Sequence, residues 1–147
     1  MKWYVKYGLL LACILILLVV PLIRFIDTGT YVGTEPYLFV RLAENPSLVD
    51  SLSYSGRTAA YSWGLPLVMS IMPSVLVYLL PFIIGIVCFI LFWLILKKLS
   101  PNEKVNTLSM ILLLLSPTFI YLFSFANSLF FPTFLALFIF YLFLRKS

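Results

Sequence analysis

Two acidic residues follow the first long apolar run, and their side chains are the groups best placed to do chemistry. The sequence contains no histidine, so acid–base chemistry falls on carboxylates. Asp27 begins a string of turn formers, where an Asx-turn would hold its side chain. Glu35 directly precedes Pro36, which suits the first position of a helix, so its carboxylate would lie beside free N–H groups at a helix N-terminus. Both acids also have a simpler interpretation, as a loop-end aspartate and a helix-start glutamate.

A short helix should follow Glu35 and end at Asn45-Pro46. The spacing predicts a polar face and a neighbouring leucine face, with Tyr37, Arg41 and Glu44 on the first and Leu38 and Leu42 on the second. The leucines would rest on the membrane or on the long helices. Arg41 and Glu44 are most simply an exposed i,i+3 ion pair, which stabilises a helix by only ~0.2–0.5 kcal/mol.

A second short helix is predicted after Asn45-Pro46. Ser47 and Asp50 have the spacing of a capping box, although Asp replaces the usual Glu or Gln, and the helix would end near Ser55-Gly56. Tyr61 and Trp63 then suit an interfacial aromatic belt. These two helices would lie along the outer surface of a membrane.

The composition is that of a membrane protein. Apolar and aromatic residues make up 63% of the 147 residues and charged residues only 10%, and the mean hydropathy is +1.13. A soluble domain keeps about a quarter of its residues charged. The net charge of +5 is not gathered on one face, so we expect no nucleic-acid partner.

Four segments are apolar enough to cross a bilayer, in which a helix needs about 20 residues. They cover about 7–23, 74–96, 107–125 and 128–144. The first exceeds the apolar run of a signal peptide and lacks a cleavage site, so we interpret it as an uncleaved helix. Pro81, Pro117 and Pro132 are expected to kink the later helices without breaking them. The third and fourth spans should form a hairpin around residues 126–128.

Basic residues set the orientation, because Lys and Arg in short loops mark the cytoplasmic side. Seven of the ten bases fall on one side of a four-span chain: Lys2, Lys6, Lys97, Lys98, Lys104, Arg145 and Lys146. Both termini are therefore predicted to be cytoplasmic in the plasma membrane, with residues 24–64 external. The two cysteines, Cys13 and Cys88, lie within apolar runs and are predicted to be packing residues.

The external segment resembles the first external loop of GT-C membrane glycosyltransferases, most closely the archaeal oligosaccharyltransferase-like members. In that family the first span is followed by a Gly-x-Asp-x-x-aromatic-x-x-Arg pattern and two juxtamembrane helices. The same order is found here, and residues in or near the positions of the pattern are Gly33, Glu35, Tyr37, Phe39 and Arg41. Gly64-Leu65-Pro66 and Ser116-Pro117-Thr118-Phe119 also look like the family.

The resemblance implies a polyprenyl-phosphate-linked sugar donor and an acidic catalytic residue in the first loop. That residue would be Glu35, with Asp27 second. Arg41 or Arg57 would hold the anionic phosphate bidentately, and Tyr37 would line the same site. In oligosaccharyltransferases the acid is usually Asp and helps to bind a divalent metal. Glu35 would be the ligand here, whereas many other GT-C enzymes use the carboxylate as a base without a metal.

These features predict an all-α membrane protein in which residues 1–147 form one transmembrane domain. Family members have more spans, so we expect the chain to be the N-terminal part of a GT-C module, inactive without the rest of its polypeptide. The alternative is a small four-span accessory or assembly protein with no enzymatic role. A transporter fragment is disfavoured, because no span carries a charge near its centre.

Overall fold

A computed structural model describes residues 3–28, 35–44, 49–50, 57–58, 64–72 and 74–146. These residues are almost entirely helical. Seven α-helices and one pair of two-residue strands follow each other in the order α1 Trp3–Thr28, α2 Glu35–Glu44, β1 Val49–Asp50, β2 Arg57–Thr58, α3 Gly64–Ser70, α4 Ser74–Leu99, α5 Glu103–Leu115, α6 Pro117–Ser124 and α7 Phe130–Lys146.

The all-helical prediction is confirmed, whereas the four predicted membrane spans are not. Within the described residues, Leu79–Leu99 is long and apolar enough to cross a membrane alone. The pair α5 and α6 passes the same length and composition test together, with a bend of 59° between them. Tyr7–Val19 and Phe130–Arg145 are apolar but shorter. A four-span arrangement therefore remains a prediction.

The prediction that Pro117 kinks a continuous third helix is wrong, because the helix is interrupted there. Ser116 adopts an extended conformation, with φ −69° and ψ 117°, between the end of α5 and the start of α6. A residue that precedes proline is pushed out of the helical region, and Pro117 then occupies the first position of α6. Pro81 differs, since α4 continues through it.

The connection between α1 and α4 also differs from the prediction. Val49–Asp50 pairs with Arg57–Thr58 as antiparallel strands, so no helix begins at the expected capping box. A helix from 47 to 56 would be too short to be stable by itself, and its serines compete for backbone hydrogen bonds. The second short helix is instead α3, in which Pro66 lies within the first turn, where proline is tolerated.

The helix α1 extends beyond the predicted span and includes Asp27, so the expected turn at that residue is wrong. Nothing in the local sequence stops the helix before Gly29, a residue type that commonly follows a helix C-terminus. The predicted start and end of α2 agree closely with the structure. This helix begins within one residue of the expected position and ends at Glu44, directly before Asn45-Pro46.

One core joins residues from α1 to α7. Cys13 and Cys88 are fully buried free thiols, as predicted for packing residues. The other buried members of the core are Leu17, Phe39, Leu65, Met69, Leu80, Ile84, Phe89, Met110, Leu114, Phe119, Phe123, Ala126 and Phe130. The helix α7 packs mainly against α4, and α2 packs mainly against α3.

A close crossing of helices lies at Gly85 of α4. A Cβ atom at this position would lie 2.7 Å from Phe123 Cβ of α6 and 2.8 Å from Leu17 Cδ1 of α1. The Phe123 Cβ atom is fixed to the backbone and cannot turn aside, so α4 and α6 would have to separate. The hydrogen side chain of Gly85 therefore sets how closely three helices pack.

We expect Gly85→Ala to lower the free energy of unfolding in detergent by about 1–3 kcal/mol, the usual cost of overpacking a core. Thermal unfolding followed by circular dichroism measures the change. Gly8→Ala is the matched control, because nothing lies within 4 Å of its added Cβ, and its higher helix propensity should leave stability equal or slightly raised. Equal melting temperatures for the two variants would contradict the close crossing.

Candidate functional site

Glu35 lies in the first turn of α2, on the side of that helix that faces the core. The buried residues of α2 are Pro36, Phe39 and Leu42. Successive residues are rotated by about 100° around a helix, so Glu35 is within about 40° of both Phe39 and Leu42. The carboxylate is thus directed toward the rest of the bundle, although the residue as a whole is exposed because it stands at the helix end.

The turn between α6 and α7 is built around Asn127, which is buried. Its Nδ2 donates to the carbonyl oxygens of Leu122 at 2.8 Å and Phe125 at 3.1 Å. Its Oδ1 accepts from the backbone N–H groups of Leu129 at 2.9 Å and Phe130 at 3.0 Å. One side chain therefore satisfies backbone groups at the end of α6 and at the start of α7, as a helix cap does.

The structure joins these two elements through a single hydrogen bond. The backbone N–H of Ser128 donates to Oε2 of Glu35 at 2.7 Å. Because Asn127 already binds the next two N–H groups, the N–H of Ser128 is the one left to bind α2. A carboxylate is favoured there, since the N-terminus of α7 carries partial positive charge and a charged acceptor strengthens the bond.

The pairing leaves Glu35 able to do chemistry. A carboxylate has about four lone-pair sites, and one N–H occupies one of them. The bond also fixes the orientation of the group, which general acid–base catalysis requires. A hydroxyl that approaches the exposed side of Glu35 would meet a base that is already oriented.

The other predicted site residues are not gathered around Glu35. Tyr37 and Arg41 lie about 200° and 240° around α2 from it, on the opposite side of the helix. Tyr37 is exposed and Arg41 is half-buried. Phe39 is buried in the core and 3% exposed.

Asp27 and Arg57 are described through their backbones only. Asp27 is in the last turn of α1, and Arg57 is paired with Asp50 in the strand register. Their side chains lie outside the described part of the structure, as does Gly33. Within that part, no group of three His, Cys, Asp or Glu side chains could hold a metal ion.

Sequence reasoning did not link Glu35 to Ser128. Asn127 was interpreted as a turn residue, which its four hydrogen bonds confirm. The Asn-Ser pair between two apolar runs was the available signal of a capped helix start. Nothing in the sequence, however, indicates which distant side chain the N–H of Ser128 binds, because the two residues are 93 positions apart.

No known protein family, curated protein or solved structure matches this chain. The case for the site therefore depends on the geometry of α2 and the α6–α7 turn.

We expect Asn127→Ala to lower the free energy of unfolding by about 1–3 kcal/mol, because it leaves buried N–H and C=O groups without partners. The matched control is Asn102→Ala, which removes an exposed asparagine that caps α5 by accepting from the Lys104 N–H. Groups freed at Asn102 can bind water, so its loss should be smaller. Thermal unfolding of both variants in detergent measures the difference, and equal losses would contradict the buried role of Asn127.

Proposed function

We propose that the chain is the N-terminal part of a GT-C membrane glycosyltransferase that acts at the outer face of the plasma membrane with a polyprenyl-phosphate-linked sugar donor. The observation that carries the proposal is the carboxylate of Glu35, bound to the Ser128 N–H at the N-terminus of α7. It is the acid that the family resemblance assigns to the reaction, and its placement gives it an orientation suited to that role.

The surface of the helices supports the membrane placement. Large apolar side chains are exposed in stripes along helices whose other faces are buried in α1 and half-buried in α7. On α1 the exposed stripe comprises Tyr4, Tyr7, Leu11, Leu15, Val19 and Ile23, and on α7 it comprises Leu135, Phe138, Ile139, Phe140, Leu142 and Phe143. A contiguous apolar surface of this kind marks contact with lipid or with other protein, and a helix in water would carry polar residues there.

The positions of the helix ends support the proposed orientation of the chain in the membrane. The charge distribution places α2 and the α6–α7 turn on the external side, and these two segments meet at the Glu35–Ser128 hydrogen bond. The basic residues Lys97, Lys98 and Lys104 lie at the other end, where α4 leads into α5. A helical bundle with the site at one end and the lysines at the other suits the positive-inside rule.

In the proposed reaction, Glu35 takes the proton of an acceptor hydroxyl while that oxygen attacks the sugar carbon of the donor. The bond from sugar to phosphate breaks, and the lipid phosphate leaves as an anion. Arg41 lies on the far side of α2 from Glu35, so we assign the leaving phosphate to Arg57, whose planar guanidinium can bind it bidentately. The proposal involves no metal step.

For the whole polypeptide that contains this chain, we expect Glu35→Gln to lower kcat for sugar transfer at least about a hundredfold, because the base is lost. Ser128→Pro removes the N–H that orients Glu35, at a helix start where proline is tolerated, and should lower kcat about tenfold with KM unchanged. Transfer from a radiolabelled polyprenyl-phosphate hexose into membrane glycans measures both effects.

Ser128→Ala is the matched control for the proline variant, since it keeps the N–H and removes only the hydroxyl. It should transfer sugar at the wild-type rate. Normal turnover by Glu35→Gln would reject the catalytic assignment. Normal turnover by Ser128→Pro with an inactive Glu35→Gln would reject only the orienting role of the turn.

The second candidate function is that of a small membrane accessory or assembly protein. The same hydrogen bond favours it, because a carboxylate that ties α2 to the α6–α7 turn has a structural use without any reaction. In that case Glu35→Gln would lower the melting temperature and change the binding of a partner protein to α2, whereas no sugar would be transferred by the wild type.

The proposed topology predicts opposite labelling of two variants that each carry one introduced cysteine. Ser70, the last residue of α3, and Lys98, in the last turn of α4, are both exposed, so Ser70→Cys should react with a membrane-impermeant maleimide on intact cells. Lys98→Cys should react only after permeabilisation. The natural thiols of Cys13 and Cys88 are fully buried, which keeps the background low. Labelling of Lys98→Cys on intact cells would reverse the orientation.

A further inference from the structure

The link between α4 and α5 is held by a small network of hydrogen bonds. The backbone N–H of Asn102 donates to Ser100 Oγ at 3.2 Å, and the Lys104 N–H donates to Asn102 Oδ1 at 3.0 Å. Nδ2 of the buried Asn106 donates to the Ser100 carbonyl at 3.1 Å. These bonds fix the end of α4 against the start of α5.

Three exposed lysines lie on this fixed link. Lys97 and Lys98 stand in the last turn of α4, and Lys104 is the second residue of α5. We call these three residues the lysine corner. Glu103 is their acidic neighbour, so three positive charges and one negative charge leave a net charge of +2.

The side chain of Lys97 extends back along α4 toward the preceding turn. Its Nζ lies 4.2 Å from the centroid of the Trp93 ring, one helical turn earlier. This is a cation–π contact, and it places the ammonium group at the level of a tryptophan, the residue type found where hydrocarbon meets headgroups. In the proposed membrane placement, the ammonium group of Lys97 would therefore lie near the lipid phosphates.

Apolar side chains adjoin the lysine corner on the outer surface of the helices. Leu99 is 57% exposed, and Val105 and Leu108 of α5 are 47% and 58% exposed. A partner that covers this surface must carry negative charge at the lysines and hydrocarbon beside them. Anionic phospholipids combine the two, and basic residues at the membrane surface attract them.

We propose that the lysine corner binds the phosphate headgroup of an anionic phospholipid, with Trp93 positioning Lys97 and with the acyl chains along Val105 and Leu108. The site is distinct from Glu35, at the opposite end of the bundle. The inference rests on the proposed membrane placement and does not depend on the transferase reaction.

Fluorescence of Trp93 provides the test. The chain has three tryptophans, so a Trp3→Phe, Trp63→Phe background leaves Trp93 as the only reporter. The protein is reconstituted into phosphatidylcholine vesicles that contain a minority of phosphatidylglycerol, with bromine on the acyl chains of one lipid or the other. Per molecule of brominated lipid, we expect about fivefold stronger quenching by phosphatidylglycerol than by phosphatidylcholine.

Charge variants separate a local site from a general effect of net charge. Lys97→Gln, Lys98→Gln and Lys104→Gln, combined in one protein, should abolish the preference while quenching by both lipids persists. Arg145→Gln removes an exposed charge at the end of α7, and this variant should retain the preference for phosphatidylglycerol. Lys98→Gln removes one positive charge, as Arg145→Gln does, but within the lysine corner. Lys98→Gln should therefore weaken the preference for phosphatidylglycerol.

The outcomes are distinguishable. Equal quenching by the two lipids in the parent protein would overturn the lipid site while supporting membrane insertion. Loss of the preference in Arg145→Gln as well would assign it to net charge and overturn the lysine corner. Absence of quenching by either lipid would contradict the membrane placement on which the site rests.

Discussion

The close approach of α4 to α1 and α6 at Gly85 is the constraint on which the rest of the structure depends. Because Gly85 has no side chain, Phe123 and Leu17 can pack against the α4 backbone. Phe123 is in the last turn of α6, directly after Leu122, whose carbonyl Asn127 binds. The crossing thus sets where the α6–α7 turn lies, and through Ser128 it also sets where α2 is tied down by Glu35. A packing contact deep in the bundle determines the geometry of the candidate site at its end.

The helical architecture could be predicted from the sequence, because long apolar runs and their flanking charges extend over whole elements. The end of α2 at Asn45-Pro46 and the burial of Cys13 and Cys88 follow from local sequence in the same way. The break at Ser116 could not be predicted so firmly. Pro81 and Pro117 both lie in apolar runs, yet only the second interrupts its helix, and the difference depends on how neighbouring helices satisfy the backbone.

Of the candidate site, only the position of Glu35 could be predicted from the sequence. The position of Glu35 at a helix N-terminus follows from Pro36, whereas its partner comes from a turn that is distant in sequence and becomes its neighbour only through folding. The grouping of Arg41 and Tyr37 with Glu35 came from a linear motif, and the rotation of residues around α2 separates them. Motifs within a helix specify distance along the chain well, but the direction of each side chain depends on which face the helix buries.

In the proposed membrane placement, the interruption at Ser116 would have a consequence for the surrounding lipid. Helices of the lengths of α5 and α6, bent by 59°, span about 28 Å from end to end at ~1.5 Å per residue, slightly less than the ~30 Å hydrocarbon core of a typical bilayer. A bilayer around this unit must thin or the unit must stand nearly upright, since hydrophobic mismatch has an energetic cost. In the proposed placement, a bent α5–α6 span would match a thin bilayer better than a thick one.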